Sequence, residues 1–343
     1  MAAATGANPD DGTEGLSSLD SADFVRIFVA PTAEAIAAAG LIVARLDVTE
    51  TPFHASVGTA TPAADATTVA IGRMDAHDDV AVVRPESVID AIDAEGSSRD
   101  TAGLVATIRW ATTASKSDQT GQLGLPTEDW QANLQSSTLV RGPFSGEGEE
   151  PTNWIAAHEN YDDRSLRSAI TLSTLEAHPT IDMAKRLQPF LAARSVSDGP
   201  FVTDAGTFDI LDVLSARHPG LALAVCCNHE RERDVAVTTW RRESTAVHAV
   251  IDQAIADGTL DAGEPITATD APLAPTARLV RTLRADDSPV VVTDGTTVAV
   301  AAVDPTELDE QLEAPVYHGD GRVVGTIRRD LNSVLSAAGV DHP

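Results

Sequence analysis

"FVRIFVAPTAEAIAAAGLIVARL", residues 24–46, decides how the chain begins. A Val-, Ile- and Phe-rich run at 24–30 reads as a buried strand, and the Ala-rich stretch at 32–46 reads as a helix. The short turn between them holds Ala30, Pro31, Thr32, Ala33 and Glu34. In many α/β enzymes that turn, at the carboxyl end of the first strand, carries metal- or phosphate-binding groups. Here Glu34 is the one charged residue among those five.

Outward from this unit the alternation continues. Strand-like runs follow at 53–59, 67–72 and 80–83, and helical patterns at 86–95 and 101–113. Short Val-rich strands alternating with helices predict a mostly parallel sheet covered on both faces. From about 126 to 195 the pattern turns helical. Pro126 and Thr127 signal a helix start, "RGPFSGEGEEPTN" (141–153) reads as a loop, and helices are expected near 162–176 and 181–194. "TFDILDVLSARHPG" (207–220) reads as a helix closed by Pro219 and Gly220, "LALAVCC" (221–227) as a buried strand, and 229–257 as a long helix with a polar face. The C-terminal part predicts a helix at 276–284, strands at 289–294 and 297–303 around an Asp294-Gly295 hairpin signal, a strand at 322–327 and a helix at 330–338. The expected division is a disordered lead-in at 1–21, a parallel-sheet α/β domain with a helical extension at 22–198, a connecting segment at 199–264 and a smaller α/β domain at 265–343.

Composition narrows the function. Hydrophobic residues make up 43% of 343 residues and aromatics 4%, so the cores rest on Ala, Val, Leu and Ile. The net charge is -28, the acids are spread along the whole chain, and Lys116 and Lys185 are its only lysines. That pattern fits a salt-in halophile, because at 1 M salt a Debye length of ~3 Å screens the self-repulsion. The acidic total neither supports nor excludes nucleic acid as a partner; only local Arg clusters bear on it. Cys226 and Cys227 are adjacent and form neither a disulfide framework nor a zinc site. No apolar run is long enough to span a membrane, and the N-terminus lacks the basic and apolar regions of a signal peptide. The expected location is the cytoplasm.

The order of parts resembles the DHH phosphoesterase superfamily. "SSTLVRGPFSG" (136–146), "APTARLVRTLRADDSPVVVTDG" (274–295) and "YHGDGRVVGTIRRDLNSVLSAAG" (317–339) are similar to haloarchaeal RecJ-like proteins and to the DHH-associated C-terminal domain. The resemblance implies a fold of two α/β domains. In active members, aspartates at the first strand tip, a further Asp and an Asp-His-His group hold two Mn²⁺ ions, which activate water and stabilise the leaving oxygen. This sequence departs from that pattern. The third strand gives Gly72 and Arg73 where an acid is expected, and the nearest counterpart to Asp-His-His is His77-Asp78-Asp79. Glu34, Asp75, His77, Asp78 and Asp79 are the residual metal candidates, and an acidic surface turn is the alternative for 74–79. His158, His178, His218 and His248 are scattered over helices and loops.

Nucleic-acid-binding candidates are Arg278, Arg281 and Arg284, spaced as one helix stripe, and the turn residues His318, Gly319, Gly321, Arg322 and Gly325, which resemble the family's Gly-rich phosphate cradle in altered order. The alternatives are a solvated helix face and a plain glycine turn. The resemblance implies a RecJ-like protein that has lost catalysis and serves as a scaffold in DNA replication or repair, with GINS and the MCM helicase as partners and single-stranded DNA or RNA in the cleft. No cofactor is expected on that reading. A Mn²⁺-dependent exonuclease or oligonucleotide phosphodiesterase and an RNA-processing or translation-linked factor are the alternatives.

Overall fold

The computed structural model describes residues 16, 18–63, 65–72, 80–93, 104, 105, 108, 121–196, 199–227, 230–284, 288–301, 305–318 and 320–340. The first unit forms as its sequence dictates. Strand β1 (Val25–Val29) leads through Thr32 into helix α1 (Ala33–Val48), and the Thr32 hydroxyl caps the helix by accepting from the Ala35 N–H. Every residue of α1 from Ala33 to Val43 is buried, as expected of a helix that is apolar all round. Strands β2 (Phe53–Val57), β3 (Thr67–Ile71) and β4 (Ala81–Val83) complete a four-stranded, wholly parallel sheet in the order β2-β1-β3-β4. Val25, Ile27 and Val29 enter the main core, while Phe28 on the opposite face packs with Ala60, Ala70 and Val80.

Helices α2 (Pro85–Asp93), α3 (Trp130–Ser136), α4 (Glu149–His158), α5 (Asp163–Ala177), α6 (Ile181–Leu191), α7 (Asp204–Arg217), α8 (Pro219–Cys226), α9 (Glu230–Ala256) and α10 (Thr259–Ala262) follow. The second sheet is mixed, in the order β5-β6-β7-β9-β8, from β5 (Ile266–Thr267), β6 (Val290–Thr293), β7 (Thr297–Ala301), β8 (Leu312–Tyr317) and β9 (Val323–Ile327). Helix α11 (Leu273–Leu283) covers one face with Val290, Val292, Ala299 and Ala301, and α12 (Leu331–Ala337) contributes Val334 and Leu335 to the core on Val291, Val298 and Val300. The expected class, a parallel α/β sheet with a helical middle and a smaller C-terminal α/β unit, is the class observed. The Asp294-Gly295 turn joins β6 and β7 antiparallel, with Gly295 at φ 95°.

Several expectations are corrected. "LALAVCC" lies in helix α8, not in a strand. A short apolar run fits either element. Pro219 at the first helical position starts this helix rather than closing the one before it, and Gly40 of α1 leaves room for it, since a Cβ there would fall 2.7 Å from the Cys226 carbonyl oxygen. The expected loop at 141–153 ends at Gly148, where α4 begins. Pro151 is tolerated because it lies in the first turn, whose N–H groups lack intrahelical partners. Helix α3 is capped by Asp129, not started by Pro126 and Thr127. The lead-in is not wholly unstructured: Leu16 and Leu19 are buried in the main core, and Ser18–Ser21 form a 3₁₀ turn. Most of the expected 101–113 helix lies outside the described residues.

Candidate functional site

The turn after β1 is held by its backbone. The Ala30 N–H donates to the Ile71 carbonyl and the Thr32 N–H to that of Ala30, while the Thr32 hydroxyl is engaged as the helix cap. Glu34 is 5% exposed in the first turn of α1 and engaged within the fold. The end of β3 comes so close that a Cβ at Gly72 would meet the Ala30 and Ala35 Cβ atoms at 2.8 and 3.0 Å. The Ala30 and Ala35 methyl groups therefore pack directly on Gly72 beside the two strand tips. Asp75, His77, Asp78 and Asp79 lie outside the described residues. Among the described residues, no three His, Cys, Asp or Glu side chains converge as metal ligands. Of the five expected metal candidates Glu34 alone is described, a single buried carboxylate at the strand tip, whereas a two-metal centre needs several hard oxygen and imidazole donors around each ion.

A buried charge network joins α7 to the C-terminal sheet. Asp209 and Asp212 lie one turn apart on α7, both completely buried. Asp209 accepts from the Ser137 hydroxyl at 2.9 Å and from the Thr138 N–H and hydroxyl. Arg278 of α11 donates to the Thr138 hydroxyl at 2.7 Å, approaches Asp212 at 3.2 Å and places its guanidinium 5.1 Å from the Phe208 ring centre. Arg322, just before β9, grips Asp212 with both terminal nitrogens at 2.9 and 3.3 Å and turns its Nε to Asp320 at 2.7 Å. Burial pushes the Asp212 carboxyl up, but Arg322 and Arg278 outweigh it and hold it below the usual range. Asp209 stays above that range, because burial outweighs Arg278 and the hydroxyl donors. Burial also works against the charge of Arg322, and Asp212 with Asp320 overcomes it.

The segment 137–141 is a second tie. Beyond the Ser137 and Thr138 contacts to α7, Arg141 reaches α9, where Nη1 lies 3.0 Å from His248 Nδ1 and Nη2 pairs with Asp252. Burial, and then Arg141, pushes His248 down to about 3.

These contacts decide where the predicted residues stand. Arg278, Arg281 and Arg284 form neither an exposed stripe nor a solvated face. Arg278 is 2% exposed in the network, and Arg281 pairs with Asp182 of α6 at 3.2 Å. Arg284 donates to the Leu260, Glu264 and Pro289 carbonyls. The Gly-rich turn is closed by hydrogen bonds between the His318 N–H and the Arg322 carbonyl and between the Gly321 N–H and the His318 carbonyl, with Gly321 at φ 83°. Its arginine points inward to Asp212. Gly325 lies within β9, where a Cβ would meet that of Leu312 at 3.0 Å, and Gly319 lies outside the described residues. Asp209 and Asp212 were not among the expected site residues. Their signal was present as two acids three apart inside "FDILDVL" (208–214), an otherwise apolar helical run.

Between the two sheets lies a cleft with a cavity of about 250 Å³. Pro31 of the first turn forms one wall, with Ser215 to Arg217 at the end of α7 and Ala271 to Ala274 at the start of α11. Val316, His318, Val324, Thr297 and Asp294 of the second sheet form the other. Arg217 is committed at its rim, donating to Glu243 and to the carbonyls of Thr269, Asp270 and Ala271.

A parallel α/β sheet facing a mixed α/β sheet across a cleft is the class of protein this geometry defines. The chain is 31% identical over 350 residues to the uncharacterized protein rrnAC1427 of Haloarcula marismortui, covering 94% of this chain and 93% of that one. It belongs to the same family as that protein. No family model matches the chain. Among solved structures, RecJ from Thermus thermophilus in complex with Mn²⁺ superposes with a TM-score of 0.48 at 12% identity over 97% of this chain. The match covers 55% of that RecJ chain, so the present chain spans about half its length. CDC45 from Entamoeba histolytica superposes with a TM-score of 0.49 at 8% identity, over 95% of this chain and 97% of that one.

Proposed function

We propose that this protein is a RecJ-like scaffold of DNA replication or repair, which binds GINS and the MCM helicase and holds single-stranded nucleic acid across the cleft without cleaving it. The observation that carries this reading is the contrast between the two sides of the cleft. The frame is fixed by the buried Asp212–Arg322 and Asp212–Arg278 pairs. Among the described residues, the strand tip that would supply metal ligands offers Pro31 and the buried Glu34. A rigid frame around a ligand-poor tip suits binding better than phosphoryl chemistry, which requires charge stabilisation at the reacting phosphate. The partner names come from the resemblance of 136–146, 274–295 and 317–339 to RecJ-like proteins.

The test pairs two measurements in molar KCl. Purified protein is mixed with halophilic GINS and MCM and followed by size-exclusion chromatography with light scattering. In parallel it is incubated with labelled single-stranded DNA and RNA and Mn²⁺, beside an active RecJ-like control. Co-elution without cleavage is the expected result. Metal-dependent cleavage that disappears in a Glu34→Ala, Asp75→Ala, His77→Ala variant would overturn the scaffold reading and make 74–79 part of an active site.

A further inference from the structure

Strands β2, β4, β5 and β8 form the edges of the two sheets, and three of them are protected against pairing. Strand β4 has three residues and β5 two, and β8 carries Pro315 and a bulge at Ala314. Short strands, proline and bulges are devices that stop an edge from taking up another strand. Strand β2 has none of them. It runs five residues, Phe53–Val57, in unbroken register with β1 and without proline or charge.

The backbone of β2 is open on its outer side. The Val25 N–H donates to the Pro52 carbonyl and the Gly58 N–H to the Val29 carbonyl, so His54 and Ser56 supply the ladder to β1. The N–H and carbonyl groups of Phe53, Ala55 and Val57 point away from β1 and have no partner among the described residues. Their side chains pack on the main core yet stay half-buried.

Charge singles out the same place. Residues 51–64 and 218–229 are the two longest stretches free of Asp, Glu, Lys and Arg, in a chain of net charge -28. The second stretch contains α8, which packs on β2 and α1 and leaves Leu221, Ala224 and Cys227 half-buried. Two segments far apart in sequence thus build one uncharged surface. Two copies of a chain this acidic repel across most of their surface, and a region without charge is where they can meet.

We infer that this surface joins two copies of the chain, through antiparallel pairing of β2 with β2 about a two-fold axis at Ala55. The register is self-complementary, as a two-fold interface requires. Ala55 pairs with Ala55 of the second copy and Phe53 with its Val57, so each outward N–H meets an outward carbonyl. His54 then stands opposite Ser56, and no like charges are opposed. The axis sets α8 of both copies on one side of the joined sheet, adding apolar area to a ladder that is small for a dimer by itself. The strand tips and clefts of the two copies point in opposite directions.

Sedimentation velocity of the full chain in molar KCl tests this, over a concentration series reaching about 100 μM. A species of twice the 35.8 kDa chain mass should grow with concentration, and amide exchange at Phe53, Ala55 and Val57 should slow in parallel. Ala55→Pro removes an outward N–H and spares the ladder to β1. It should weaken the dimer at least about tenfold with near-ultraviolet circular dichroism unchanged. If Ala55→Pro fails to fold, two double variants on the exposed face decide. His54→Glu with Ser56→Glu opposes like charges and should weaken the dimer about tenfold, whereas His54→Lys with Ser56→Glu opposes unlike charges and should keep it. A chain monomeric at every concentration, a dimer indifferent to Ala55→Pro, or equal behaviour of the two double variants would each overturn the inference. So would a monomeric chain whose GINS or MCM binding is lost in Ala55→Pro, since the edge would then take a strand of that partner. The scaffold reading is judged separately: its failure, no co-elution with GINS and MCM, leaves the dimer standing.

Discussion

Arg322 and Asp212 are 110 residues apart in sequence, and their side chains meet at 2.9 Å in the interior between the second sheet and helix α7. Both are buried, and both have second partners, Asp320 for the arginine and Arg278 for the aspartate. The pair is therefore the centre of a four-residue chain rather than an isolated bridge. Such a chain adds little net stability over an apolar replacement, yet it is costly to break, because removing one member strands a buried charge.

Arg322→Met should lower unfolding stability by about 3–5 kcal/mol, and Asp212→Asn should act in the same direction. The double variant Asp212→Leu with Arg322→Met should recover only part of the loss, since Asp320 then loses its arginine and Arg278 keeps only the more distant Asp209, at 3.7 Å. Urea unfolding in molar KCl measures all three, and an unchanged midpoint in Arg322→Met would show that the pair carries no structural weight.

The buried histidines set a pH dependence of known sign. His318 is pushed down to about 4 and His248 to about 3, each mainly by burial, from an ordinary value of 6.5. Above 6.5 folded and unfolded chains both carry them neutral. Between 6.5 and about 4 the unfolded chain binds protons that the folded chain refuses, so their contribution to stability falls as pH falls. Asp204 and Asp209, held above the ordinary carboxylate range by burial, act in the opposite direction. Comparison with a variant isolates the histidine: across pH 6 to 5, His318→Phe should lose about 1 kcal/mol per pH unit less than the parent. Equal slopes would mean that His318 takes up its proton in the folded state.

Two glycines should respond oppositely to alanine. At Gly206 of α7 a Cβ would fall 2.4 Å from the Leu125 and Pro126 backbone, which cannot yield, whereas at Gly220 of α8 it would meet nothing within 4 Å. Gly206→Ala should destabilise by about 1–3 kcal/mol through overpacking. Gly220→Ala should stabilise by about 0.4–1 kcal/mol through helix propensity and a less flexible unfolded chain. Thermal melts of the two variants decide it, and a stabilised Gly206→Ala would mean that α7 stands further from residues 125 and 126.

Arg141→Ala should release the 137–146 segment from α9 by removing the contacts to His248 and Asp252. Hydrogen exchange should speed up in residues 137–146 well before the parallel sheet responds, because local opening follows the local contacts. Uniformly faster exchange across β1 to β4 would instead make Arg141 part of the global core.

Much of the architecture was legible in local pattern. The buried run at 24–30, the Ala-rich helix after it and the Asp294-Gly295 turn each carry their conformation in a few neighbouring residues. "LALAVCC" was not legible, because an apolar run of that length satisfies either period, and the choice fell to Pro219 and the space beside Gly40. Strand β8 also escaped notice: its sequence "LEAPVY" contains Pro315, which suits an edge strand, with a bulge at Ala314 where φ is 48°. At the candidate site, spacing placed Arg278, Arg281 and Arg284 on one helix side but could not say what faces it.

By itself the sequence determined the charge balance, the strand-helix alternation of the first unit and the shortage of acids in the first turn, because each is a property of single residues or of short periodic runs. The tertiary structure alone decided that Arg278 and Arg322 turn inward to Asp212, that the glycine turn closes without a free cation, and that Pro31 and His318 line the same cavity. Those outcomes depend on partners far apart in sequence. A buried arginine is stable only where acceptors from distant parts of the chain converge on it, and no local pattern encodes that convergence.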